Sequence, residues 1–156
     1  MAIRLTAIDN LLKAFGKLDK DSLLQKVFKD STSLQQDIIA LNTEDQLYEK
    51  GITSDGVSLG TYSESTINGT KGWEGKKQKN QPYDHVTLKD TGEFYSTFKF
   101  KTESGDFIIS ADTVKPSQDL AETYGNIIGL TQQNKMVVAG WVKAPFVDQM
   151  RKAVWK

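Results

Sequence analysis

A chain of 156 residues with no cysteine, one histidine (His85) and 20 basic against 20 acidic residues excludes several kinds of chemistry before any motif is read. Thiol nucleophiles, cysteine-based zinc sites and multi-histidine metal clusters are ruled out. The balanced charge and a pI near 6.6 give no global pull toward nucleic acid or an acidic membrane.

The length suits one domain over 1–156, able to bury about two thirds of its unfolded surface without staples. In chain order, Leu5, Ile8, Leu12 and Phe15 recur at helical steps, and Gly16 interrupts that helix. Asp19 or Asp21 can cap a second helix carrying Leu24, Val27 and Phe28. Ser33 with Gln36 has the spacing of a capping box for a third, with Leu34, Ile38, Leu41 and Tyr48 along it and a possible restart at Asn42. Gly51 stands where a left-handed C-terminal cap is expected. Residues 1–50 are therefore expected to be mainly helical.

Ile52 to Leu59, with Ser54-Asp55-Gly56 inside it, suits a small hairpin or tight turn. Residues 60–83 form a long polar stretch rich in Gly, Ser, Thr, Asn and Lys, with Trp73 as its one large apolar residue. Asn68-Gly69-Thr70 within it reads as an Asn-Gly turn. From 84 to 156 the pattern is a hairpin plus helices. Phe98-Lys99-Phe100-Lys101 alternates and resumes as Phe107-Ile108-Ile109 after Glu103-Ser104-Gly105. Pro116 and Ser117 are expected to open a helix from Leu120 through Ile128, ended by Gly129. Met136 to Trp141 is β-branched enough for a strand, and Pro145 is expected to start a last helix with Phe146, Met150 and Val154 on one stripe. This order predicts an α+β fold.

Asp90-Thr91-Gly92 is the segment with most to say about chemistry. Together with Asn126-Ile127-Ile128-Gly129 it matches two motifs of dimeric, retropepsin-like aspartyl proteases, in which paired carboxylates share a proton and activate water. The flanks argue against that alternative. Lys89 before Asp90, and Glu93-Phe94 after Gly92, would add charge and bulk where such a dyad must be dry and closely packed. In the structural reading Thr91 caps a short helix, Gly92 opens its turn, and Phe94 and Phe98 pin that turn to the core at an i,i+4 interval.

Gly69 to Lys77 has the wrong spacing for a phosphate loop, and Lys77 stands where Ser or Thr should hold magnesium. Lys71, Lys76, Lys77 and Lys79 around Trp73 make a second alternative, a small module for single-stranded nucleic acid. At zero net charge, a loop whose Trp73 anchors on a neighbouring subunit is the favoured reading, so nucleic acid is not an expected partner. His85 follows Asp84, but side chains adjacent in sequence seldom face one another. Glu44, Asp45 and Glu49 read as a solvated helix face. No catalytic residue, cofactor or metal site is expected.

No window approaches the ~20 apolar residues of a membrane helix, and the first residues lack the apolar core of a signal peptide. The protein is expected to stay in a cytoplasm or leave by lysis. The order of motifs, from Gly51 and Asp55-Gly56 through the lysine segment, Leu88-x-Asp90-Thr91-Gly92-x-Phe94-Tyr95-x-Thr97, the hairpin and Tyr124-Gly125 to Pro145-Phe146, resembles phage virion-morphogenesis or tail-completion proteins. The resemblance spans Leu41 to Val154. It implies a non-enzymatic subunit of a head-tail connector, neck or tail end, acting as an oligomeric ring. Its partners would be neck, portal or tail-tube proteins, joined in the host cytoplasm and retained in the virion. Trp73, Lys71, Lys76, Lys77, Leu88, Thr91, Gly92 and Phe94 are the residues it suggests for interaction.

Overall fold

The computed structural model describes residues 13–68 and 81–155. The fold is α+β, with N-terminal helices, two small antiparallel sheets of two strands each and a long C-terminal helix. Residues 13–16 are helical and the turn at Lys17 ends them. Then come α1 (Lys20–Asp30), α2 (Thr32–Ala40), a π-helix (Leu41–Lys50), α3 (Glu64–Asn68), α4 (Glu93–Ser96), β1 (Lys99–Glu103), β2 (Asp106–Ser110), β3 (Val114–Lys115), β4 (Gln118–Asp119), α5 (Leu120–Tyr124) and α6 (Gln132–Val154). Among the described residues no helix is long and apolar enough to cross a membrane.

Caps set the helix boundaries. The Asp19 carboxylate accepts from the Ser22 amide at 3.1 Å and starts α1. The Ser31 hydroxyl accepts from Leu34 N at 3.3 Å, so α2 begins at Thr32; Ser31, and not the expected Ser33, is the cap. Where Asn42 suggested a restart, the helix widens into ten residues of π-helix without breaking. It ends at Gly51, which has φ +58° as expected. A Cβ at Gly51 would collide with the His85 ring, so close packing as well as backbone conformation reserves this position for glycine. The isolated bridge between Ile52 and Ser58 closes the expected tight turn.

The β1–β2 hairpin runs in register from Lys99 opposite Ser110 to Glu103 opposite Asp106. Ser104 and Gly105 both have positive φ (46° and 78°), the mirror-image turn that suits twisted strands. Phe100, Phe107 and Ile109 face inward while Lys99, Lys101 and Glu103 face water. The Phe107 ring stacks on Phe100 at 5.3 Å and meets Phe28 of α1 edge-on, also at 5.3 Å. This aromatic trio joins the hairpin to a cluster of Val27, Ile38, Leu130, Val138 and Val142. A second cluster gathers Leu47, Leu59, Val86, Leu88, Phe94, Phe98, Leu120 and Ile127, and Ile109 packs against both.

The C-terminal third differs from expectation. Pro116 and Ser117 do not open a helix; they are the turn between β3 and β4, and α5 starts at Leu120, where Asp119 accepts from Ala121 N at 2.9 Å. It stops at Tyr124, with Gly125 at φ +79°, well before Gly129. Met136 to Trp141 is not a strand, and Pro145 does not begin the last helix, since α6 runs through both. Thr131 caps α6 through Asn134 N at 3.2 Å, and Val138, Val142 and Phe146 at successive i,i+4 steps pack against α1. That burial outweighs the local β preference of Val137-Val138 and the missing amide of Pro145.

Candidate interaction surface

Two features of the sequence place α6 on the body of the protein. First, Asn42 and Gln46, four residues apart on the π-helix, are both fully buried and project toward residues 127–131. Asn42 Nδ2 donates to the Ile127 carbonyl at 3.0 Å and its Oδ1 accepts from Gly129 N at 2.7 Å. Gln46 repeats the pattern one step along, donating to the Gly129 carbonyl at 2.9 Å and accepting from Thr131 N at 2.8 Å. Each amide thus offers one donor and one acceptor to a peptide backbone, as a neighbouring β-strand would. Second, buried Asn134 in the first turn of α6 donates to Asp45 at 2.9 Å and to Gln46 Oε1 at 3.0 Å. Burial pushes the Asp45 carboxyl up, but hydrogen bonds from Lys50 and Asn134, with the Lys50 charge, outweigh it and hold the group below its ordinary value.

The clasp fixes which face of α6 turns outward. Val138 and Val142 are buried, and exposed Ala139 borders the groove between them and α1; away from that groove Met136, Gly140, Trp141, Ala144, Pro145 and Val147 are exposed. Lys143 is the one charged residue among the exposed positions from Met136 to Val147. Met136 is 69% exposed and Trp141 41%, and Trp155 beyond the helix is 73% exposed. A helix apolar on both faces, with one face on its own core, has a second face suited to another protein. Sequence reading missed this surface because it took 136–141 for a strand. The i,i+4 spacing of Val138, Val142 and Phe146 behind a Thr131 cap was the available signal.

The residues suggested from sequence lie elsewhere. Trp73, Lys71, Lys76 and Lys77, with Lys79, the phosphate-loop match and the Gly69-Thr70 part of the Asn-Gly turn, fall outside the described residues. Leu88 and Phe94 come together in one core cluster, 7% and 3% exposed, so they do not line a surface. Gly92, at φ +85°, is itself the N-cap of α4, and Thr91 sits one residue earlier, its hydroxyl accepting from Glu93 N at 3.4 Å. The expected Thr91 cap is displaced by one residue, because Gly92 takes the left-handed conformation that opens the helix. Phe94 and Phe98 meet edge-on at 5.2 Å and pin this turn as the spacing implied.

Leu88 also has positive φ, 58°, rare for a branched side chain. Hydrogen bonds hold the peptides beside it. Tyr95 donates to the Thr87 carbonyl at 2.5 Å, Gln81 donates to the Lys89 carbonyl, and the Thr87 amide donates to the Tyr62 phenol at 3.0 Å. Asp90 follows this knot as an exposed residue. The second protease-like match, Ile127-Ile128-Gly129, is the backbone held by Asn42 and Gln46.

Around Tyr48 the charged residues interlock. The Lys89 ammonium lies 4.5 Å from the Tyr48 ring centre, 5.3 Å from that of Tyr95 and 3.3 Å from a Glu44 oxygen. His85 donates from Nε2 to the Tyr48 carbonyl at 2.7 Å, and its Nδ1 is 2.8 Å from Asp84. The two neighbours in sequence therefore do face each other, contrary to expectation, because His85 turns back to close the π-helix. Both ring nitrogens are engaged in that role. Among the described residues no group of three acidic or histidine side chains could hold a metal ion. Comparison with protein-family models, with curated proteins and with solved structures finds no match in any of the three.

Proposed function

We propose that this chain is a structural subunit of a tailed-phage virion, placed at the head-tail junction, neck or tail end and working by assembly. The observation that supports the reading is the uncovered apolar face of α6 from Met136 to Val147, with Trp141 at its middle. Tryptophan and methionine side chains, such as exposed Trp141 and Met136, are enriched at protein interfaces, and tryptophan among their anchor residues. The site it offers is an attachment surface, and its partners are other virion proteins or further copies of the chain. The order of motifs from Gly51 to Phe146 is what directs the reading to tail completion.

The test is complementation of a phage lacking this gene. The double substitution Trp141→Glu/Val147→Asp, both at exposed positions, is expected to leave a folded protein and to yield unjoined heads and tails by electron microscopy. Complete, infectious particles from that variant would remove the α6 face from the reading. Asp90→Asn provides the enzymatic control: joining is expected to persist, and loss of a peptide-cleaving activity at acidic pH would overturn the structural assignment.

A further inference from the structure

A groove of about 460 Å³ follows the seam between α1 and α6, with the tip of the hairpin as its third side. Leu24 and Phe28 of α1 and Val138, Val142 and Phe146 of α6 line it, and exposed Ala139 stands at its mouth. The tip rests directly on α1, since a Cβ at Gly105 would come within 2.8 Å of Asp21. From Lys135 to Phe146 the α6 side is about 16 Å long. The element that leads into α1 is the helical turn at 13–16. Lys17 N closes it by donating to the Lys13 carbonyl at 3.2 Å, and residues 17–19 alone separate it from α1. Ala14 and Phe15 are half-buried while Lys13, Gly16 and Lys17 are exposed, so this turn already has an inward and an outward side.

Leu5, Ile8 and Leu12, which share a helical stripe with Phe15, lie outside the described residues. We propose that these three side chains fill the groove, on a helix that continues residues 13–16 and runs antiparallel to α1. Two helices joined by three residues make a helical hairpin, in which residues equally far from the turn lie side by side. Counted from Leu18, Leu12 is matched with Leu24, six residues to either side, and Ile8 with Phe28, ten to either side. Both of those partners line the groove. A helix from Leu5 to Phe15 rises about 15 Å, close to the length of the α6 side. The tether decides the occupant. A segment held by so short a connection meets the groove at an effective concentration of roughly millimolar, which a free partner or a second copy has to exceed. This contact is independent of the assembly reading. It covers the groove flank of α6 and leaves the Trp141 flank to partners.

Because the chain has no cysteine, single introduced thiols report on the groove without background. Ala139→Cys in the full chain is expected to react with a maleimide dye at least about tenfold more slowly than the same thiol in a chain that also carries Ile8→Asp/Leu12→Asp, as burial of two aliphatic side chains implies. The slow rate should not change with protein concentration. Val86→Cys, in the core, should stay protected in both backgrounds, which shows that the body remains folded. Ile8→Cys/Ala139→Cys should cross-link within one chain through a bis-maleimide spanning about 10 Å, the spacing of packed helices. Fast labelling of Ala139→Cys in the otherwise unchanged protein would overturn the docking, and so would slow labelling that survives Ile8→Asp/Leu12→Asp. Protection that grows with concentration would assign the groove to a second copy instead. If the two aspartates unfold the body, so that Val86→Cys labels fast, the cross-link decides alone, and its absence refutes the contact.

Discussion

Asp90 shows how a short motif acquires its meaning from neighbours. Asp-Thr-Gly alone fits an acid catalyst, yet Leu88 before it is buried at positive φ, Gly92 after it caps α4, and Phe94 enters the core. The flanks Lys89 and Glu93-Phe94 were readable as unsuitable for a carboxylate dyad. What could not be read was the hydrogen-bonded knot, because its members Tyr62, Gln81, Thr87 and Tyr95 are dispersed along the chain. Tyr95 gives the knot a pH signature. Burial pushes its phenol well above the ordinary value of 10.0, with Glu44, Tyr62 and Tyr48 adding to the rise. A group whose folded value is raised contributes stability that is complete below its unfolded value and is lost as pH climbs past it. Tyr95→Phe is therefore expected to cost about 1 kcal/mol at pH 7, from the lost bond to Thr87. The variant should also lose less stability than wild type between pH 9 and 11. Urea titrations across that range check it; parallel curves for the two proteins would mean that Tyr95 does not carry the alkaline loss.

Elements were legible where one local signal dominated. The alternating Phe98 to Lys101 run with its Ser104-Gly105 turn gave the hairpin, and Gly51 gave the end of the helical region, since both depend on nearest neighbours. Caps were off by one or two residues, as at Ser31, because several hydroxyls compete for the same amides. The largest miss was α6. Two β-branched residues and an internal proline argued locally against a single helix, and only packing against α1 and the Asn134 anchor made it one. Pro145 therefore stands in that helix at a cost. It has no N–H to give to the Trp141 carbonyl one turn back, and its ring crowds that turn. Proline in a helix interior is about 3 kcal/mol less favourable than alanine, offset in part by the stiffer unfolded chain. Because Pro145 is exposed and buries nothing, Pro145→Ala is expected to stabilise the protein by about 1 kcal/mol or more, visible as a raised Tm. A lowered Tm would show that a bend at Pro145 is needed for α6 to follow α1.

At the scale of the molecule the question is what makes two hydrophobic clusters behave as one. They meet through Ile109, and the segment from Ile127 to Leu130 gives its first residue to one cluster and its last to the other. Asn42 and Gln46 hold that crossing segment by three hydrogen bonds, and a fourth holds Thr131 just beyond it. None of this was visible in the sequence, where Asn42 read only as a possible helix restart, Gln46 carried no signal, and their targets lie more than 80 residues away. Replacing one amide by alanine leaves a buried N–H and C=O without partners, at about 1–3 kcal/mol for each group exposed to that loss. Asn42→Ala/Gln46→Ala is thus expected to remove several kcal/mol, a large share of the 5–15 kcal/mol typical of a domain. The amides of Gly129 and Thr131 report directly, since those two donate to Asn42 and Gln46. In wild type they should exchange with solvent as slowly as the core amides of Val86 and Phe98. In the double variant they should exchange fast, and the amides of α6 should separate from those of Val86 and Phe98 into a less protected group. Equal slowing in both proteins would mean that Ile109 and the shared apolar contacts alone couple the clusters, and that the clasp only selects the path of the chain.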